Sequence, residues 1–97
     1  MKESDVVKHL KKVVAEMRGE TRKVKWEGRK HAPDLLVLLP LTSCWVETKA
    51  PGVKARDGQL REHARLRASG MKVFVLDTVG AVDEWAGRYV MRKTAGI

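Results

Sequence analysis

The spacing of apolar residues changes several times along this chain, and each change marks an element. Val6, Val7, Leu10, Val13, Val14 and Met17 recur at intervals of three and four, with Lys8, Lys11, Lys12 and Glu16 off that stripe. This predicts an amphipathic helix from Asp5 to about Arg18. Ser4 or Asp5 can cap its start, and Gly19 supplies the left-handed residue that helix ends favour. From Thr21 to Glu27 the period falls to two, with Val24 and Trp26 on one side and Lys23, Lys25 and Glu27 on the other. That is the pattern of a half-buried strand, closed by Gly28. Leu35 to Leu39 is then an unbroken apolar run, which predicts a central strand from Asp34 to Leu39 covered on both faces.

Pro40 to Ser43 forms a tight turn, and Cys44 to Ala50 makes a third strand that Pro51-Gly52 breaks. Asp57, as a cap, opens a second helix that runs to about Ser69, with Gly70 just past its end. On it Gln59, His63 and Leu66 share one face, with Leu60 and Ala64 beside them, while Arg56, Arg61 and Arg65 point elsewhere. Lys72 to Leu76 reads as a short buried strand and Asp77 to Gly80 as a turn. Val82, Trp85, Ala86, Tyr89 and Val90 form the stripe of a last helix, and Met91 to Ile97 a frayed end. The order is helix, three strands, helix, strand, helix. With no repeat, linker or low-complexity segment, residues 1–97 are expected to form one domain.

Three charged residues disturb the two apolar strands. Side chains two apart on a strand share a face, so Glu47 and Lys49 point the same way and Thr48 the other. If Pro40 and Ser43 flank a two-residue loop at Leu41 and Thr42, counting back sets Leu36 opposite Glu47 and Asp34 opposite Lys49. All three charges then lie on one face, whereas a slip of one residue would send Asp34 to the other. Two carboxylates about 4 Å apart repel by roughly 4 kcal/mol at an effective dielectric near 20. A hard divalent ion with oxygen ligands, Mg²⁺ or Mn²⁺, offsets this and leaves positions for water and phosphate oxygens. Lys49 is placed to orient or help deprotonate that water, or to stabilise charge on the phosphate. The bland alternative is a cross-strand ion pair of Asp34 with Lys49 while Glu47 reaches solvent. Against it stands the apolar run, which leaves Asp34 no easy route to water.

Composition narrows the partner. Twenty Lys and Arg against 12 Asp and Glu give a formal charge of +8 in only 97 residues, so polyanions are natural partners, although cations also simply keep small proteins soluble. One cysteine, Cys44, excludes an intrachain disulfide and a multi-cysteine zinc site, and reads as a small strand residue in a reducing compartment. The longest apolar run is far below the roughly 18 residues that span a bilayer, and the charged N-terminus does not suit a secretory signal. A soluble intracellular, cytoplasmic protein is expected, with no membrane partner.

Pro33-Asp34, followed after twelve residues by Glu47-Thr48-Lys49, resembles the PD-(D/E)XK nuclease pattern, and the element order resembles the restriction-endonuclease-like core of that superfamily. The wider string is similar to the VRR-NUC family of virus-type replication and repair nucleases. It runs from Gly28-Arg29-Lys30 through Ala32-Pro33-Asp34-Leu35-Leu36-Val37-Leu38-Leu39-Pro40 and Trp45-Val46-Glu47-Thr48-Lys49-Ala50-Pro51-Gly52 to Gln59, His63, Leu66 and Gly70. The chain departs from the pattern at His31, where relatives often have a small residue, and at Thr48, where they usually have Leu. The resemblance implies an α/β fold of order α-β-β-β-α-β-α with a mixed central sheet flanked by helices. It also implies a metal-dependent deoxyribonuclease of the standalone phage or bacterial type, acting as a homodimer on branched or junction DNA without a small-molecule cofactor. Asp34, Glu47 and the backbone carbonyl of Thr48 would bind the metal, Lys49 would assist catalysis, Gln59 would line the active site, and Glu3 would complete the metal shell.

Arg29, Lys30 and His31 in the basic loop, Lys54 and Arg56 after the third strand, and Arg61 and Arg65 on the second helix are the candidate DNA contacts. They would grip backbone without reading sequence. Trp26, Trp45 and Trp85 fall on apolar faces and are expected in the core, and His63, on the inner face of the second helix, is expected to be a satisfied core histidine or a neighbour of the site, not a ligand. The rival reading is a non-catalytic nucleic-acid-binding module that keeps the fold.

Overall fold

The computed structural model describes residues 1–95, with side chains described through Arg88. The elements follow the expected order: α1 (Glu3–Glu16), β1 (Glu20–Lys23), β2 (Leu35–Leu39), β3 (Thr42–Thr48), α2 (Asp57–Ala68), β4 (Val73–Leu76) and α3 (Val79–Ala95). The strands form one sheet in the order β1-β2-β3-β4, antiparallel from β1 to β3 and parallel between β3 and β4. The sheet is therefore mixed, and α2 is the crossover that a parallel pair requires.

Alternation along the strands divides the side chains between two faces. On one, Leu35, Val37, Cys44, Val46 and Leu76 meet Val6, Leu10, Val13 and Val14 of α1 and Val82, Trp85 and Ala86 of α3. His9 and Asp83 tie these two helices together at 2.7 Å. The other face carries a smaller cluster of Trp45, Leu66 and Val73, with Val24, Trp26 and Leu36 packed against it under α2. Trp26 and Trp45 pack at 4.9 Å between centroids with their rings tilted by 48°, and Trp26 Nε1 donates to the Pro33 carbonyl at 2.7 Å. The three tryptophans thus serve packing, as their spacing predicts.

The hairpin register differs from the count above. Leu39 pairs with Thr42, Leu38 with Ser43, Leu36 with Trp45 and Leu35 with Val46. The two-residue loop is Pro40-Leu41, where Leu41 takes φ 71° and stands 98% exposed. Proline at the first loop position followed by a positive φ is the pattern of a type II turn, and it moves the two-residue loop one position towards the N-terminus. The shift is two residues in register, which preserves the faces. One further step sets Asp34 opposite Glu47, where opposition to Lys49 was expected.

Other boundaries also move for identifiable reasons. β1 stops at Lys23 although the alternation runs on, because Val24 and Trp26 are partly buried by side-chain packing beyond the end of the paired segment; only Val24 continues the ladder, its N–H reaching the Asp34 carbonyl at 2.8 Å. The left-handed residue after α1 is Arg18, φ 64°. Gly19 is needed for close approach instead: a Cβ there would sit 2.5 Å from the Leu38 carbonyl oxygen. α2 starts from Arg56, whose N–H donates to Gln59 Oε1 at 2.9 Å, where a cap by Asp57 was expected. The expected turn at Asp77 to Gly80 is partly helical, since Thr78 Oγ1 accepts from the Ala81 N–H at 2.9 Å and starts α3 there. The helix continues to Ala95 past the expected fraying point at Met91. Gly96 and Ile97, and the expected stripe residues Tyr89 and Val90, lie outside the residues whose positions or side chains are described. Among the described residues no helix is long and apolar enough to cross a membrane.

Candidate active site

Two strand ends meet where the charged residues lie. Asp34 immediately precedes β2 and Glu47 is the penultimate residue of β3, so the antiparallel register brings the start of one strand beside the end of the other. The two acids meet solvent differently. Asp34 is half exposed, and its Oδ2 lies 3.8 Å from Lys23 Nζ, which corrects the expectation of an aspartate sealed in an apolar strand. Asp34 shares the thinner α2 face with Leu36, and as the residue before the strand it lies outside even the partial cover that Leu36 receives. Glu47 is the buried one, with its side chain 13% exposed, so the alternative in which Glu47 reaches solvent also fails.

Burial pushes the Glu47 carboxyl up to about 7; Lys49 opposes the rise, while Asp34 and Glu3 add to it. Glu47 therefore feels all three partners expected around it. Its Oε1 is buried without a hydrogen-bond partner, as are both ring nitrogens of His63. His63 Nε2 stands 3.5 Å from that oxygen. Lys49 follows β3 directly, held by its N–H to the Leu76 carbonyl at 3.0 Å. Glu3, on the first turn of α1, reaches the same strand end, where its Oε2 accepts from Thr48 Oγ1 at 3.2 Å.

Not every expected residue converges. Gln59 Oε1 is engaged with the start of its own helix. Among the described residues no three His, Cys, Asp or Glu side chains already converge as a metal cage would. Glu47, with its orphaned oxygen, stands among the charges of Asp34, Lys49 and, from α1, Glu3.

Next to this site the cationic residues gather. A cleft of about 230 Å³ is lined by Arg29, Lys30, His31, Arg61, Glu62 and Arg65 together with Gly28 and Gly58. A second, of about 380 Å³, shares Arg29 and His31 with it and extends past Trp26 and Lys23 to Asp34. His31, at φ 68°, lays its ring on the start of α2, where a Cβ on Gly58 would meet it at 2.7 Å.

No protein-family model matches the chain. A phage protein described as "Putative nuclease p44", from Acyrthosiphon pisum secondary endosymbiont phage 1, is 46% identical over 79 residues, covering 80% of this chain and 85% of that protein. A solved structure described as "VRR_NUC domain" is 40% identical with a TM-score of 0.83, and the match covers 90% of this chain and 96% of that one. The chain belongs to the VRR-NUC family.

In this VRR-NUC domain, sequence reasoning passed over one acid beside the basic cleft. Glu62 is buried and takes Arg29 at both carboxylate oxygens, with Arg65 Nη1 at 3.3 Å. The Arg29 hydrogen bond, more than its charge, holds the Glu62 carboxyl low, and the same contact raises the guanidinium of Arg29. Two of the seven expected polyanion contacts are thus partly neutralised from beneath. The i,i+3 spacing of Glu62 and Arg65 was readable in the sequence; the reach of Arg29 across 33 positions was not. Lys30, His31, Lys54, Arg56 and Arg61 are exposed and available.

Proposed function

We propose that this VRR-NUC domain is a metal-dependent endonuclease that hydrolyses DNA phosphodiester bonds, with branched or junction DNA as its substrate and a homodimer as its acting form. The observation that carries the reading is the buried, partnerless Glu47 oxygen opposite Asp34 with Lys49 two residues on. The site fits a hard divalent cation. Its donors are oxygens only, a carboxyl raised by burial gains most from a cation beside it, and Thr48 adds a backbone carbonyl at the same strand end. Mg²⁺ or Mn²⁺ bound there would polarise the phosphodiester and lower the pKa of a coordinated water.

The chain's own residues divide the remaining work. Asp34 and Glu47 would hold the ion from two strands, each fixed by backbone pairing, with Glu3 supplying a third carboxylate from the rim of α1. Lys49 is free to orient the attacking water and to offset charge gathering on the phosphate. Lys30, His31 and Arg61 line a cleft that leads through Arg29 towards Asp34, a path for a phosphate backbone to reach the carboxylates. Lys54 and Arg56, exposed in the connection between β3 and α2, add to the cationic surface. A two-fold dimer would set two such sites on two strands, as symmetric cutting requires.

One observation favours a second reading, a nucleic-acid-binding module without catalysis: Asp34 turns to Lys23 and Gln59 to its own helix, so neither points its oxygens at Glu47. Cleavage of a panel of flap, splayed, Holliday-junction and linear DNAs with Mn²⁺, alongside a mass measurement in solution, separates the two. Metal-dependent cutting of branched species by a dimer is expected. Salt-sensitive binding without cutting at any Mn²⁺ concentration would leave the second reading.

A further inference from the structure

His63 is the one fully buried imidazole in the described chain, at 0% exposure on the inner face of α2. A polar ring in that position costs stability unless its nitrogens are satisfied, and an aliphatic side chain of similar volume would pack there at no such cost. Neither nitrogen has a partner, and the nearest acidic atom, Glu47 Oε1 at 3.5 Å, has none either. Two orphaned atoms facing one another in a buried space are satisfied together by one hydrogen bond. The gap is about 0.5 Å longer than an ordinary N–H···O contact, within the reach of a side-chain torsion.

We infer that His63 is a positioning residue for Glu47: its Nε2–H holds the Glu47 carboxylate in the orientation that receives a divalent cation. The inference rests on the metal-dependent reading above and assigns to α2 a part in it beyond Gln59. The surroundings suit the role. Nε2 is the ring nitrogen that stands nearest Glu47, and an imidazole with its proton there presents that N–H to the carboxylate. Glu62, the next residue along the helix, is committed to Arg29 and Arg65 and does not compete for it. Carboxylates that ligate metals are commonly held by such outer hydrogen bonds, whose loss weakens metal binding about 10- to 100-fold.

The test is calorimetric titration of Mn²⁺ into the DNA-free full chain. His63→Leu keeps the bulk and removes the donor, while His63→Gln restores an N–H near the Nε2 position. His63→Leu is expected to bind Mn²⁺ about 10- to 100-fold more weakly at an unchanged or raised melting temperature, and His63→Gln to recover most of the loss. Wild-type affinity in folded His63→Leu overturns the inference, and so does an equal loss in both variants. Absence of Mn²⁺ binding by the wild-type chain overturns the metal reading itself, a distinct result. Should His63→Leu not fold, side-chain ¹⁵N spectra of the wild-type chain with Mg²⁺ decide: the Nε2–H tautomer is expected, and the Nδ1–H tautomer overturns the inference.

Discussion

Asp34 and Glu47 oppose one another at the mouth of the β2-β3 hairpin, yet one is half in water beside Lys23 and the other is 13% exposed with an oxygen that nothing satisfies. The difference follows from one residue of strand position, because Asp34 precedes the paired, covered segment while Glu47 lies within it. The pair therefore contributes asymmetrically. Asp34 adds charge at little cost to folding, and Glu47 holds a carboxylate that burial makes costly to ionise.

Replacing Asp34 tests the first half of this asymmetry. Asp34→Asn is expected to abolish Mn²⁺ binding in a calorimetric titration while changing unfolding free energy by no more than about 0.5 kcal/mol, as befits an exposed position with one long ion pair. A large loss of stability, or unchanged metal affinity, would contradict the assignment.

Glu47 carries the pH dependence. Its folded-state value of about 7 lies above the ordinary 4.5, so folding favours the protonated form. That contribution is complete below about pH 4.5 and is lost as pH rises through about 7. His63, held low by burial, runs the other way, gaining stability as pH rises towards its unfolded value of 6.5, so the wild-type profile mixes both. Glu47→Gln removes only the first. Chemical denaturation of the metal-free variant is expected to show little gain near pH 4.5 and a gain of up to about 3 kcal/mol at pH 8. A gain independent of pH would show that the carboxyl is not raised.

Lys49→Ala is expected to leave melting temperature and DNA affinity close to wild type and to slow Mn²⁺-supported cleavage by about 100-fold or more, the scale of losing one charge-stabilising group. Single-turnover nicking assays at saturating protein read this directly. Full activity in the variant would remove Lys49 from the mechanism.

Two neighbours in the basic loop are expected to separate. Arg29→Ala strips Glu62 of its main partner and leaves a buried carboxylate short of compensation, so the melting temperature should fall along with DNA binding. Lys30→Ala, with no such partner beneath it, should leave the melting temperature unchanged and lower the slope of log affinity against log salt by about 1. Binding isotherms at several salt concentrations, paired with thermal melts, distinguish the two outcomes.

Legibility varied with the range of the interaction. Helices α1 and α2 and the order of all seven elements could be read from periodicity, because an apolar stripe or alternation is written in neighbouring residues. The shared face of Asp34, Glu47 and Lys49 followed from strand parity and survived a wrong loop, since moving the turn from Leu41-Thr42 to Pro40-Leu41 changes the register by two. The partner across the hairpin did not survive, because the conformation of Leu41 at φ 71° decides it and no glycine announces that position. The exposure of Asp34, the Arg29–Glu62 pair and the orphaned His63 depend on what lies across the fold, which spacing does not encode.

The sheet's two faces have a bearing on how this domain can change. Against α1 and α3 lies a broad aliphatic floor from Leu35 to Leu76, while the chemical side rests on little more than Trp45, Leu66 and Val73. Most of the packing thus lies on one surface of the four strands and Asp34, Glu47 and Lys49 on the other. Substitutions that reshape the cationic loop or the outer face of α2 draw on the thinner layer and leave the floor intact.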